Sequence, residues 1–138
     1  MQWSKDAFQI STDKNRLQLE AIQAYLTTSY WSPGITLERV QASINGSACF
    51  GLYHEDQQIG FARVISDGVT FAYLADVYVR PDYQGHGLGK WLMSCIVDQS
   101  EFKDIRKWLL RTRDAHGLYR QYGFQSLSNP EIVMELIR

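Results

Sequence analysis

The chain has 138 residues, 45% of them hydrophobic, and its 14 basic and 15 acidic side chains leave a net charge of -1. That length fits one domain with a full core, and the near-neutral balance argues against nucleic acid or an anionic membrane surface as a partner. No apolar stretch reaches the length of a membrane span, and the first residues lack the charged-then-apolar layout of a signal peptide, so the expected compartment is cytoplasmic.

In chain order, residues 8–11 read as a weak first strand. Thr12 or Asp13 can cap a helix running to about residue 30, with Ile22, Tyr25, Leu26 and Ser29 on one face. Trp31-Ser32-Pro33-Gly34 breaks it, and Thr36 can cap a second helix to about residue 44. The period then changes to two. Residues 48–54 and 59–66 read as strands around the polar turn at 55–58, and Asp67-Gly68 is a hairpin signal leading into a strand over 69–79. Cys49 and Cys95 sit in apolar surroundings, which predicts reduced core thiols rather than a disulfide. A helix over 87–99 must cross back to a strand at 107–112, which makes that strand parallel to its predecessor. A short helix closes at Gly123, and residues 132–137 read as a last strand. The basic residues Lys103, Arg106, Lys107, Arg111 and Arg113 read as a solvated face or as an electrostatic aid to an anionic ligand. The expected fold is a single α+β domain over 1–138: an antiparallel meander, then a parallel pair, in one mixed sheet flanked by helices.

The segment from Val77 to Leu92 carries the most chemistry. A strand ends at Arg80-Pro81, because proline cannot donate to a sheet ladder. Gly85, Gly87 and Gly89 follow, and then Leu88, Trp91, Leu92, Cys95 and Ile96 recur at helix spacing. The first N–H groups of a helix lack partners, and the dipole there favours an anion. Glycines remove the side chains that would hold a phosphate away from those amides. Gly85 and Gly89 enclose three residues, not the four of a phosphate-gripping nucleotide loop, and the spacing also breaks the Gly-x-Gly-x-x-Gly dinucleotide fingerprint. A plain glycine turn that starts a helix is the alternative.

Gln84-x-x-Gly87-x-Gly89, placed after Val77-x-Val79-x-Pro81, resembles the acyl-CoA pyrophosphate loop of the GNAT N-acetyltransferase superfamily. Asp114-Ala115-His116-Gly117-Leu118-Tyr119-Arg120-Gln121-Tyr122-Gly123-Phe124 is similar to that family's C-terminal signature. Asp114 stands where Asn is common, and Leu118 replaces the usual aromatic. The resemblance covers residues 48–124 well and the first forty loosely. It implies acetyl-CoA as the acyl donor, direct transfer to a primary amine of a small molecule in a ternary complex, and no metal. The cofactor side would comprise Gln84, Gly85, His86, Gly87, Leu88, Gly89, Lys90 and Asp114, with the main chain of Val77 and Val79 pairing with the pantetheine arm and donating to the oxyanion.

Such a transfer requires a neutral amine, although a free alkylamine has a pKa near ~10.4. It also requires a donor to the oxyanion and a proton for the leaving thiolate. By resemblance Tyr119 supplies that proton, the alternative being a core tyrosine; Tyr122 is assigned to packing or the cofactor edge. Asp76 is the only ionisable acid in an apolar strand, so it must be paired, solvated or shifted. It is a candidate for deprotonating or orienting the amine, or else a structural partner of an arginine such as Arg63. Tyr73 stands where some members carry a glutamate, so a water relayed by Tyr73 is a further route. By resemblance the acceptor lies against the first two helices, where Tyr30 and Trp31 would form a wall. No Gly-x-Ser-x-Gly elbow is present, neither cysteine has a neighbouring histidine, and no metal-ligand spacing occurs. The rival reading is a non-catalytic acyl-CoA-binding or regulatory module. The chain is expected to act as a monomer or homodimer.

Overall fold

A computed structural model describes residues 1–138, which build one six-stranded sheet in the order β1-β2-β3-β4-β5-β6. β1 (Gln2–Lys5) and β2 (Phe8–Ser11) form a hairpin, β3 (Ala48–His54) pairs antiparallel with β2, and β4 (Gln57–Ser66) and β5 (Ala72–Val79) complete the meander. β6 (Trp108–Leu110) joins β5 in parallel through three residue pairs, from Ala72↔Trp108 to Leu74↔Leu110. Four helices complete the fold: α1 (Leu19–Leu26), α2 (Leu37–Asn45), α3 (Leu88–Val97) and α4 (His116–Arg120). The mixed sheet flanked by helices is the arrangement expected from the sequence.

Local chemistry accounts for the boundaries. The helix expected over 12–30 shrinks to Leu19–Leu26, because the Asp13 side chain caps a short 3-10 turn at Lys14–Arg16 instead. At its far end the Thr28 and Ser29 hydroxyls bond the carbonyls of Tyr25 and Leu26, competing with helix propagation. Thr36 caps α2 as expected, accepting from the Arg39 amide. β5 starts at Ala72 rather than 69, because the Asp67 carboxylate gathers the amides of Val69 and Thr70 and the Thr70 hydroxyl. Those bonds, Thr70's first, hold the Asp67 carboxyl down at about 2. β1 has no counterpart among the expected strands, because Gln2–Lys5 carries a single large apolar side chain, Trp3.

One expected element is absent. Residues 130–132 form a 3-10 turn behind Pro130, and the following residues join no strand. The apolar run over 132–137 has the composition of a strand. However, Pro130 cannot donate, and β6 offers an edge only three residues long.

The core has two layers. Phe50, Leu52, Ile59 and Val64 pack with Leu92, Met93 and Ile96 of α3 on one face. Phe61 and Tyr78 pack with Ile22 and Leu26 of α1 and with Val40 and Ile44 of α2 on the other. Truncating a fully buried side chain such as Leu92 to Ala costs about 2–5 kcal/mol at such a site.

β5 contributes to both layers through a bulge. The register slips between Phe61 and Arg63 of β4, so that Asp76 and Val77 together oppose Ala62. Asp76 has a φ of 55°, unusual for a residue with a side chain. Before the bulge, Ala72 and Leu74 face α3. After it, Val77 and Val79 face that side, while Tyr78 turns to α1 and α2.

Candidate active site

The residues that open α3 form an anion cradle. Gly85 and Gly87 have φ of 87° and 75°, and a side-chain carbon at either would meet nothing within 4 Å. Gly87 is the helix N-cap and offers no side-chain acceptor to the first turn. The hydrogen bonds of the preceding turn end at Gln84 N–H to Pro81 O, and those of the helix begin at Trp91 N–H to Gly87 O. The six amides from Gly85 to Lys90 therefore have no acceptor in the chain. Lys90 is exposed beside them, and His86 lies on the exposed loop. The Gln84 side chain turns back and donates to the Val79 carbonyl at 2.9 Å, holding the loop against the end of β5. Behind the loop, the Tyr83 hydroxyl meets His54 Nδ1 at 2.8 Å.

Beside the cradle, β5 and β6 separate. Their pairing stops at Leu74↔Leu110, so the β5 backbone from Ala75 to Val79 has no strand neighbour on that side. Val77 and Val79 lie along this open stretch. α4 carries Tyr119, only 8% exposed, whose ring packs edge-on against Phe124 at 6.0 Å. Burial, with smaller contributions from Tyr30 and Asp114, pushes the Tyr119 phenol up to about 12. It is therefore protonated throughout the neutral range. Tyr122 ties α4 to α3, its hydroxyl donating to the Lys90 carbonyl at 2.6 Å and lying 3.0 Å from Ser94 Oγ.

Asp76 is 8% exposed and fully engaged. Oδ2 accepts from Arg63 Nε at 2.6 Å, and Oδ1 accepts from Trp31 Nε1 at 2.9 Å. Arg63 also donates to Ser47 Oγ at 3.1 Å. The arginine considered from sequence as a structural partner is thus the one present. Through Asp76 the strained point of β5 grips Trp31, whose ring meets Tyr30 edge-on at 5.1 Å. Tyr30 accepts from the Arg113 amide at 2.9 Å, and the Arg113 guanidinium lies 4.0 Å above its ring. Tyr30 therefore spans from the loop after α1 to the loop before α4.

Sequence reasoning put Tyr25 on a helix face and did not assign Tyr25 or Tyr78 to the site, yet they stack at 3.9 Å, with Tyr25 also 6.4 Å from Trp31. Burial, then the Asp114 charge, raises the Tyr25 phenol. The Asp114 charge likewise adds to the rise of the Tyr119 phenol. Tyr73 is half-buried at the start of β5, opposite Ile65 and Leu109. Burial pushes Cys49 and Cys95 up to about 11, so neither is a thiolate nucleophile near neutral pH.

Residues 45–126 match the Acetyltransferase (GNAT) domain. A Gibberella zeae relative named as an acetyltransferase is 31% identical, the match covering 85% of this chain and 78% of the relative. The crystal structure of an acetyltransferase from Xanthomonas campestris pv. campestris, assigned to the GNAT family, superposes with a TM-score of 0.92. It is 40% identical, over 95% of this chain and 93% of that one. The chain belongs to the GNAT N-acetyltransferase family. A ycf52 protein of Gracilaria tenuistipitata var. liui, named as an N-acetyltransferase, is 36% identical over 64% of this chain, which spans about half (52%) of that relative.

GNAT enzymes take their acetyl group from acetyl-CoA, and the residues present suit that donor. Six unpartnered amides, opened by glycines at positive φ and flanked by Lys90, suit a diphosphate. No group of three or more His, Cys, Asp or Glu side chains is arranged to hold a metal ion. No helix is long and apolar enough to cross a membrane.

Proposed function

We propose that this GNAT chain transfers the acetyl group of acetyl-CoA to a primary amine of a small molecule, by direct attack in a ternary complex. The observation that carries this reading is the presence in one chain of three features: the free amides of 85–90, the unpaired backbone of β5 after Leu74, and the buried Tyr119. The donor supplies an activated thioester carbonyl. The amides of Gly85 to Lys90 hold its diphosphate, while Gln84 pins the loop to Val79. The main chain of Val77 and Val79 receives the pantetheine arm as a strand-like partner and donates to the developing oxyanion.

Tyr119 donates its proton to the departing thiolate sulfur. A phenol held up to about 12 remains protonated until that sulfur needs it. Asp76 orients rather than abstracts, since both its oxygens are committed, one to Arg63 and one to Trp31. The amine loses its proton to water beside the aromatic group of Tyr30, Trp31 and Tyr25, on which the Asp76 carboxylate is anchored through Trp31. Aromatic walls beside a carboxylate suit an amine carried on an apolar or aromatic body. The test is thiol release from acetyl-CoA across a panel of small amines, run beside coenzyme A titration calorimetry. Acceptor-stimulated turnover is expected. Tight coenzyme A binding without turnover on any amine would sink the enzymatic reading and leave a binding module.

A further inference from the structure

Beyond the point where β5 and β6 part, a chain of side-chain contacts joins one strand to the other. The ladder ends at Leu74↔Leu110. Just past it on β5, Asp76 accepts from the Trp31 indole at 2.9 Å. Trp31 meets Tyr30 edge-on at 5.1 Å, and the Tyr30 hydroxyl accepts from the amide of Arg113, just past the end of β6. The contacts therefore bridge the open fork between the strands. They do so on the side of α1 and α2, since Trp31 also lies against Tyr25, which packs in that layer with Tyr78. Tyr119 belongs to the opposite layer, with α3.

Arg113 is the end of the bridge with donors to spare. Its main-chain N–H holds Tyr30, so that tie does not depend on the side chain. Its guanidinium lies over the Tyr30 ring, 4.0 Å from the centroid, a contact that spends no N–H on an acceptor. No carboxylate answers it. The ion pairs of the molecule are Arg63–Asp76, Arg80–Asp82 and Arg111–Glu135, and Asp114, its neighbour in the chain, joins none of them. Asp76, at the other end of the bridge, is spent on Arg63 and Trp31. A guanidinium is a planar fork that matches a carboxylate with two parallel hydrogen bonds. Resting on a ring that is itself held at its hydroxyl, this one has less freedom to lose on binding.

We propose that Arg113 binds a carboxylate on the acceptor, so that the enzyme selects amines that carry an acid group over those that do not. The inference rests on the acetyl-transfer reading above and adds the charge of the acceptor's body to it. The Tyr30 and Trp31 rings, 43% and 38% exposed, take the apolar part of the molecule between amine and carboxylate. A cation fixed beside them also disfavours polyamines, whose further ammonium groups would meet the guanidinium.

The test measures kcat/KM for matched acceptors in the parent, Arg113→Gln and Arg113→Lys. The pairs are L-phenylalanine against its amide and γ-aminobutyrate against its amide. Dividing each variant's acid-to-amide ratio by that of the parent removes the intrinsic difference between the two amines. Arg113→Gln should lower the ratio about tenfold or more in at least one pair, chiefly through the acceptor KM. Arg113→Lys should restore part of it, since the charge returns without the fork. Equal ratios in parent and Arg113→Gln for both pairs overturn the proposal, while turnover on the amides upholds the acetyl-transfer reading. Turnover of no amine at all overturns both. A loss of coenzyme A affinity in Arg113→Gln, read by calorimetry, assigns the guanidinium to the donor and also overturns the proposal.

Discussion

Three substitutions of Asp76 separate its charge, its acceptor role and its backbone conformation. Asp76→Asn leaves Arg63 without its anion, while an amide oxygen can still accept from Trp31 Nε1. Breaking a buried pair costs about 3–5 kcal/mol. Because the Arg63 side chain is 16% exposed and keeps Ser47, about 2 kcal/mol is expected here. Asp76→Ala also removes the Trp31 acceptor, worth about 1 kcal/mol, and puts at a φ of 55° a residue without the short polar side chain that eases the left-handed region for Asp and Asn, worth about 1 kcal/mol more, bringing the loss to about 4 kcal/mol. Asp76→Gly loses the same contacts but relieves the backbone, and should recover about 1 kcal/mol of that. Urea unfolding should therefore rank the variants Asn, Gly, Ala in order of falling stability. In the acetyl-transfer assay, Asp76→Asn should raise the acceptor KM several-fold with a kcat loss under about tenfold, because Trp31 and Tyr30 lose their anchor but no proton route is cut. Two results would refute this reasoning: glycine no better than alanine, or a native-like Asp76→Asn that has lost about 10³-fold in kcat together with one limb of its pH profile.

Tyr119→Phe should lower kcat about 100-fold with coenzyme A affinity unchanged within about twofold, read by steady-state kinetics and calorimetry. Gly87→Asp should weaken coenzyme A binding at least about 100-fold through bulk and like charge, whereas Gly68→Asp, at a similar φ of 78° and also in open space, should leave it intact. Tyr53→Phe should raise stability by about 1 kcal/mol, because the Tyr53 hydroxyl is buried without a hydrogen-bond partner; a loss on urea unfolding would contradict this. Burial raises Cys49 and Cys95 to about 11 and Tyr53 and Tyr119 to about 12 in the folded chain. Unfolding releases these protons at the lower ordinary values. The urea midpoint should therefore stay level up to about pH 8 and fall from about pH 9 to 12. A midpoint level through pH 12 would contradict it.

The cradle was legible from residues alone because its causes are local. Glycines at 85, 87 and 89 and a helix period starting at Leu88 require no knowledge of distant contacts. Arg63 as the partner of Asp76 was also within reach, since an acid in an apolar strand demands a partner and the neighbouring strand carries one. The bulge was not. Alternation of period two has no mark for an extra residue, and the change of faces after Asp76 depends on how β4 pairs with β5. The aromatic wall escaped for the same reason: Tyr25 and Tyr78 lie 53 positions apart and meet only because α1 packs on the face of the sheet that carries Phe61 and Tyr78. Residues 132–137 misled in the opposite sense. Their composition is that of a strand, but composition does not say which edge is free to receive one.

The short pairing of β5 with β6 has a mechanical consequence. β3, β4 and β5 are joined by antiparallel ladders of seven and six residue pairs, whereas the sheet's hold on β6 rests on three. Tyr122 and Tyr30 add side-chain ties between α4, its preceding loop and the rest of the molecule. Separating that unit exposes far less than opening the meander, so amide hydrogen exchange should be fastest along this seam. A molecule laid in the gap after Leu74 would act as a rivet: its occupancy would be read as slowed exchange in β6 and α4, far beyond the residues it touches.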